Sequence, residues 1–328
     1  MSVDETAANG AQIIVSGSEG FVGRHVRAAV ARRGGKTIGV DRPGTRAEIP
    51  IDLAAPDFHP SFLWDRVSGN AVSVVHMAAN ITRTSSVDSA ARSNLRVIAE
   101  APVRIIEEGV RRGVCSHIVD CSTFKVFGPA SQILIHAATH PRRPDPFSYG
   151  SAKALAERLL TIAAQRDGFA FSTVHPTCIY GPGQHLQNAI PTFLSAILRG
   201  EPPTVYGDGK SIRDDVYVAD LADLLVEAAL RRATGSFQAA GERARTILEV
   251  AEACCAAVAA IGGPSGIAPR RVCDRPPKWW LDQCFDLAPT VAAFGYTPTP
   301  LAAGLAAESE WLRAGAPDES VRFAKGSS

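Results

Sequence analysis

Excess charge of either sign is nearly absent from this chain. Its 328 residues carry 34 Lys and Arg against 33 Asp and Glu, a formal net charge of +1. Bulk electrostatics therefore favour neither nucleic acid nor an anionic membrane surface as a partner. The basic pairs, such as Arg32-Arg33 and Arg270-Arg271, are short and read as solvated faces. Long apolar runs are also missing. The most weakly polar stretch, 251–263, is too short to span a bilayer and reads as a buried or amphipathic helix. The opening residues Met1-Ser-Val-Asp-Glu-Thr are polar and acidic, unlike a signal peptide. Cysteine is sparse: seven residues, an odd number, with no C-x-x-C pair. Cys254 and Cys255 are adjacent and poorly placed to bond to each other. Reduced thiols and a cytoplasmic location are expected. No His/Cys cluster has zinc-ligand spacing, so no metal is expected.

What is present is a large apolar fraction, 46%, with 20% charged residues, as in a globular enzyme with a sizeable core. Short apolar runs near 12–16, 36–40, 73–76, 116–121 and 170–175 alternate with helical segments. That pattern predicts an α/β fold: a Rossmann-type, doubly wound parallel sheet with helices on both faces. Ligand is then expected outside the carboxyl ends of the strands. After Gly181 the pattern loosens and a smaller C-terminal substrate-binding lobe is expected, with helices at 246–261 and 301–313. The expected division is a nucleotide-binding unit over 1–176 and a mainly substrate-binding lobe over 177–328.

The chain opens on Ile13-Ile-Val-Ser-Gly17-Ser-Glu-Gly20-Phe21-Val-Gly23, an apolar run, a glycine turn and an amphipathic stretch. This is the context a dinucleotide fingerprint requires, with the spacing G-x-x-G-x-x-G. Gly17 permits the turn, Gly20 lets the backbone approach a pyrophosphate, and Gly23 lets the helix pack on the strand. The pyrophosphate would sit at the helix N-terminus. Asp41 ends the second apolar run, 24 residues after Gly17, where an acidic residue binds ribose hydroxyls. Its charge disfavours a 2′-phosphate, so NAD is the expected cofactor, with Arg42 next door arguing the other way. Asp52 and Leu53 follow a third short apolar segment and are placed near the adenine, although a plain loop aspartate fits the spacing nearly as well.

Tyr149 and Lys153 stand four apart in Phe147-Ser-Tyr149-Gly-Ser-Ala-Lys153, and so share a helix face. An ammonium beside a phenol favours the phenolate and lowers the tyrosine pKa. About thirty residues upstream lies Asp120-Cys-Ser122-Thr123-Phe-Lys125-Val-Phe-Gly128, whose Ser122 or Thr123 hydroxyl could bind the same substrate oxygen. Alone, Tyr-x3-Lys also fits a half-buried tyrosine on a solvated helix face. With the fingerprint it reads as apparatus for moving an alcohol proton while a nicotinamide takes or returns hydride.

From about residue 12 to about 313 the chain resembles the extended short-chain dehydrogenase/reductases of the NAD-dependent epimerase/dehydratase family. Val74-Val-His-Met-Ala78-Ala79 is similar to the family's fourth strand, whose end passes under the nicotinamide, and Asn94 to its supporting helix asparagine. Ser122, Thr123, Tyr149 and Lys153 match the catalytic set. His175-Pro176-Thr-Cys178-Ile-Tyr-Gly-Pro-Gly183 resembles Arg-Pro-x-Asn-Val-Tyr-Gly-Pro-Gly. The string from Gly207 to Asp220 is similar to the segment with which sugar-nucleotide enzymes hold a diphosphate, and implies Arg213 as the phosphate ligand. The resemblance implies that a segment near 212–235 returns to the first unit, that the substrate is a nucleotide sugar, and that the chain forms a homodimer.

The departures matter as much. In the family's 4,6-dehydratases an Asp-Glu pair follows the catalytic threonine, whereas here Phe124-Lys125 follows Thr123. Lys125 therefore reads as a cation for an anionic substrate edge, or as an acid/base group if buried, or as a lysine turned to solvent. Cys178 stands for an asparagine, His175 for an arginine, and Asn188 where relatives touch the sugar nucleotide. A 4-epimerase working through a transient 4-keto sugar is ranked first. A specialised dehydratase or other epimerase using Lys125 follows, then an NAD-dependent dehydrogenase or reductase. A non-enzymatic binding protein on this fold would have no use for Thr123, Tyr149 and Lys153 together.

Overall fold

A computed structural model of the protein describes residues 8, 10–79, 92–128, 133–144, 149–273 and 283–315. Seven strands form the central sheet: β1 (Gln12–Ser16), β2 (Lys36–Asp41), β3 (Ile49–Pro50), β4 (Ser73–His76), β5 (His117–Cys121), β6 (Ala170–Pro176) and β7 (Gly235–Ala239). Their spatial order is β7-β6-β5-β4-β1-β2-β3, and every neighbouring pair is parallel. The apolar runs read from sequence fall on β1, β2, β4, β5 and β6. The order reverses between β1 and β4, which opens the crevice where such sheets bind ligands.

The helices are α1 (Phe21–Arg32), α2 (Ala101–Arg111), α3 (Tyr149–Asp167), α4 (Ala189–Leu198), α5 (Val218–Leu230), α6 (Ile247–Ala260) and α7 (Leu301–Arg313). Side chains alternate across a strand, so each strand feeds two cores. Ile14, Val74 and Ile118 join Ile105 and Ile106 of α2 and Ala152, Ala156 and Leu160 of α3. Ile13, Val15, Val75, Val119 and Val174 join Val26 and Val30 of α1 and Leu221 and Leu225 of α5. Burial on both faces explains why these strands are nearly continuous apolar runs. Each fully buried Ile or Val contributes about 1.5–3 kcal/mol.

A separate core holds the later elements together. Phe193, Leu194 and Ile197 of α4 pack with Val250, Cys254 and Val258 of α6 and Leu305 of α7. A reciprocal capping box starts α6: Thr246 accepts from the Glu249 N–H, and Glu249 accepts from the Thr246 N–H. Between Pro176 and β7 the chain visits this second core and comes back. The strand Asp215–Tyr217 pairs in parallel with Cys178–Tyr180, and α5 then runs beneath the main sheet against α1.

One residue of this lobe is costly. Glu308 on α7 is fully buried, and no cation is paired with its carboxyl among the described residues. Burial pushes its carboxyl up to about 8, the Gly181 backbone pulling down and the Asp215 charge pushing further up. The folded protein therefore keeps a proton that the unfolded chain releases near pH 4.3. Stability falls as pH rises from about 4.3 to about 8, because the folded state binds more protons throughout that window. Glu308→Gln removes this titration. Urea unfolding at pH 5 and pH 8 should show a shallower loss in the variant, and a gain on the order of 1–3 kcal/mol at pH 8.

Candidate active site

The glycine turn sits at the carboxyl end of β1. Gly17 has φ +75°, and a Cβ there would lie 2.9 Å from the Ala78 nitrogen at the end of β4. A Cβ on Gly23 would lie 2.1 Å from the Gly17 carbonyl oxygen, so only glycine lets the first turn of α1 close onto the loop. Gly20 is the N-cap of α1; no side chain caps this end, and no acidic residue occupies its first turn. Phe21 begins the helix, its ring edge-on to His25. A helix start of this kind presents N–H groups to an anion, which fits a dinucleotide pyrophosphate.

Asp41, at the end of β2, accepts from the Glu19 N–H at 2.9 Å and from the Arg42 N–H at 2.8 Å. The carboxylate thus braces the glycine loop and keeps acceptor capacity for ribose hydroxyls. Arg42 is exposed. Asp52 is exposed too and accepts from the Ala54 N–H, whereas Leu53 is buried in the core. Ala78 and Ala79, half-buried, follow β4, and Pro176 ends β6. Asn94 precedes a π-helical turn, Leu95–Glu100, and its Oδ1 is buried without a hydrogen-bond partner.

Tyr149 and Lys153 lie one turn apart at the start of α3. Lys153 is fully buried, and its ammonium meets Asp120 Oδ1 of β5 at 3.2 Å. Burial works against the Lys153 charge, but Asp120 and the Tyr149 phenol outweigh it, and its pKa stands above the ordinary value. Burial pushes the Tyr149 phenol up to about 12, with Lys153 pulling the other way. That corrects the expectation from spacing: in the protein alone the lysine moderates the cost of burial and does not reverse it.

Thr123 is buried and extended, and its hydroxyl oxygen accepts from the Lys125 N–H at 3.4 Å. Its own proton stays available to a substrate oxygen. The 3-10 turn Phe124–Phe127 follows and rests on the first turn of α3. A Cβ on Gly150 would lie 2.8 Å from the Lys125 carbonyl oxygen, so this contact too needs glycine. Lys125 is therefore held beside Tyr149, with its side chain exposed. Burial pushes the Cys178 thiol up to about 11, while the Arg213 and Lys125 charges pull it down. Cys178 thus lies within reach of both the Lys125 and the Arg213 charges.

Two residues behave differently from the sequence expectation. Ser122 does not share the role of Thr123: its hydroxyl donates to Glu157 Oε1 at 2.6 Å, away from the Thr123 side chain's role. Arg213 is not an open phosphate ligand: its Nε and Nη2 form a fork with both Asp215 oxygens. Two of its five N–H donors are engaged there, and a diphosphate would meet the others. Asn188 caps the start of α4 by position only; its side chain makes no capping bond and it is exposed. Among the described residues no group of three or more His, Cys, Asp and Glu could hold a metal ion, and no helix is long and apolar enough to cross a membrane.

The model of the NAD dependent epimerase/dehydratase family matches residues 13–239. The chain belongs to this family. Among similar proteins is a dTDP-4-dehydro-6-deoxy-D-allose reductase of Streptomyces sp, 26% identical over 345 residues, covering 95% of this chain and 99% of the relative. A UDP-glucose 4-epimerase of Azospirillum brasilense is 30% identical over 259 residues, covering 71% and 72% of the two chains. The structure of MoeE5 in complex with UDP-glucose and NAD is similar with a TM-score of 0.75 and 28% identity, over 93% of this chain and 99% of that one. The family is NAD-dependent and includes epimerases, dehydratases and reductases.

Family membership does not by itself explain a lysine ammonium out of contact with water. That group depends on Asp120. Asp120→Asn should leave the charge without its partner and cost about 3–5 kcal/mol of folding stability. Denaturant unfolding at pH 7 measures this; a loss below about 1 kcal/mol would mean that Lys153 has another counter-charge.

Proposed function

We propose that the protein is an NAD-dependent 4-epimerase of a nucleotide-activated sugar. The observation that carries this reading is the position beside Tyr149. The residue held there is Lys125, and no carboxylate follows Thr123 to remove and return the protons of a dehydration. A mass-neutral reaction needs only the set that is present. Similarity to the Azospirillum brasilense UDP-glucose 4-epimerase and to MoeE5 supports a nucleotide-sugar substrate.

The loop from Gly17 to Gly23 would hold the NAD pyrophosphate, Asp41 its ribose hydroxyls, and Ala78, Ala79, Pro176 and Lys153 its nicotinamide end. When bound, NAD supplies the hydride acceptor and the positive charge of its oxidised ring. Tyr149 takes the proton from the sugar hydroxyl at carbon 4, and Thr123 donates a hydrogen bond to that oxygen. Lys153 keeps a positive charge near the phenol and offsets part of the cost of forming phenolate in a buried site. Lys125 faces an anionic or oxygen-rich edge of the sugar, and Cys178 and Arg213 lie toward the diphosphate, with Asn188 at the rim. The unit over 1–176 with its return through α5 and β7 would hold NAD, and the lobe built on α4, α6 and α7 the sugar nucleotide. A cytosolic homodimer is our reading of the assembly: the seven cysteines are free, and Leu155 and Ile162, seven apart on α3, are 40% and 47% exposed.

A net reduction is the second reading, favoured by the nearly full-length similarity to the Streptomyces sp reductase. Incubation with UDP-, GDP-, CDP- and TDP-hexoses, and with 4-keto forms of these nucleotide sugars plus NADH, followed by mass spectrometry, separates the two. An isomer of unchanged mass is expected; a gain of two hydrogens with consumption of NADH would establish reduction, and loss of water a dehydratase. On the converted sugar, Tyr149→Phe should lower turnover by about 10²–10⁴ while NAD still binds.

Lys125 gives an independent check. Lys125→Arg should retain most activity, and Lys125→Met should lose roughly 10- to 100-fold in kcat/KM, the worth of a hydrogen bond to a charged group. Parent-like kinetics in both variants would remove Lys125 from the site.

A further inference from the structure

The helix face that carries Tyr149 and Lys153 continues one turn further to Glu157, which is buried and serves three partners. Its Oε1 accepts from the Ser122 hydroxyl at 2.6 Å and faces His175 Nε2 at 2.9 Å; its Oε2 accepts from Arg142 Nε at 2.8 Å. His175, fully buried on β6, also sets Nδ1 against the Phe237 carbonyl oxygen of β7 at 3.3 Å. The Phe127 ring, which ends the turn after Thr123, lies 5.0 Å from the His175 ring and 5.0 Å from the Arg142 guanidinium carbon.

His175 Nε2 also lies 3.5 Å from Arg142 Nη2, so the imidazole sits between the Glu157 carboxylate, the Arg142 guanidinium and the Phe237 carbonyl oxygen. Glu157 is a carboxylate: burial raises its pKa, but His175, Arg142 and the Ser122 hydroxyl together outweigh burial and hold it at about 2. The charged and titratable groups around the imidazole are Glu157 and Lys153 from α3, Asp120 from β5, and Arg142 and His140 from the segment before α3. Two carboxylates and the cations Lys153 and Arg142 surround it.

We propose that Glu157 and His175 form a buried positioning pair, which holds Thr123 in register with Tyr149 by gripping Ser122 on one side of it and Phe127 on the other. Glu157 is fixed to the helix that carries Tyr149, and Ser122 is the residue before Thr123. Their hydrogen bond therefore sets how far the threonine hydroxyl stands from the phenol. This rests on the reading of Thr123 and Tyr149 as the groups that touch substrate. An error of about 1 Å in such a pair can cost on the order of 10²-fold in rate.

Two measurements test it. Crystal structures of the parent and of Ser122→Ala should show the Thr123 hydroxyl displaced relative to the Tyr149 phenol in the variant; an unmoved pair overturns the positioning role. This arm needs no substrate, so it stands even if the sugar-nucleotide panel gives no turnover. On the hexose nucleotide that the parent converts, Glu157→Gln and Ser122→Ala should lower kcat by about 10- to 100-fold per folded molecule, with KM and NAD affinity within about twofold. His175→Leu should fall likewise, and His175→Arg, which can still donate to Glu157, should recover most of the loss. If Glu157→Gln does not fold, Ser122→Ala carries the test. Unchanged kcat in the folded Ser122→Ala and His175→Leu variants, with only lowered thermal stability, would mean a structural role and overturn the proposal. Parent-like activity in Tyr149→Phe would instead remove the catalytic reading beneath it.

Discussion

A lysine ammonium sealed from water is the most demanding group in this protein. Taking such an ion out of water costs several kcal/mol even after relaxation. Asp120 is what makes it tolerable, and Asp120 is itself fully buried with its second oxygen unpartnered. The pair lies between the end of β5 and the first turns of α3. Sheet and helix must therefore meet at one depth and one rotation. Once that is fixed, Tyr149 is placed one turn before the lysine and Glu157 one turn after. The 3-10 turn after Thr123 closes against Gly150, and the reacting groups are assembled from elements that share this single electrostatic anchor.

The anchor also organises charge more widely. Lys153 helps to keep His76 neutral: burial lowers that imidazole to about 3, and the ammonium adds to the effect. His76 Nε2 faces the Val97 carbonyl oxygen, so it is the donor there, and Nδ1 accepts from the Ser16 hydroxyl. The same arrangement recurs at His117, between Ser73 and the Ala233 carbonyl. Hydroxyl–imidazole–carbonyl chains tie β1 to β4, and β4 to the segment before β7, without placing a net charge in the sheet.

How much was legible in the chain followed from how local each feature is. Strands of a doubly covered parallel sheet are apolar runs, so five of the seven stood out from sequence. The two-residue β3 was seen only as a short apolar segment, and β7, Gly-Ser-Phe-Gln-Ala, is too polar to stand out. Gly17, Gly20, Gly23, Tyr149 and Lys153 sit in tight local spacings and are legible in the chain. Ser122 and Glu157 are 35 residues apart and meet only through tertiary packing, so spacing alone does not show the hydrogen bond between them. A signal existed, since Tyr149, Lys153 and Glu157 repeat every four residues on one helix face. The Arg213 fork was similarly visible as an aspartate two residues away in extended chain. The rise in the Tyr149 pKa was not legible at all, because desolvation depends on what the rest of the chain places over the ring.

The chain's route between its two cores has a mechanical meaning. It leaves the main sheet after Pro176, returns through α5 and β7, and leaves again toward α6. On the outward and return passes it runs as adjacent parallel strands, Cys178–Tyr180 beside Asp215–Tyr217, registered Cys178 to Asp215 and Tyr180 to Tyr217. Two hydrogen-bonded strands resist sliding past each other but can bend together, like a leaf spring. Any opening between the cores is then a rotation about that strap, which carries Cys178 and, through the Asp215 fork, Arg213. The residues nearest that pivot, Cys178 and Arg213 among them, would move least.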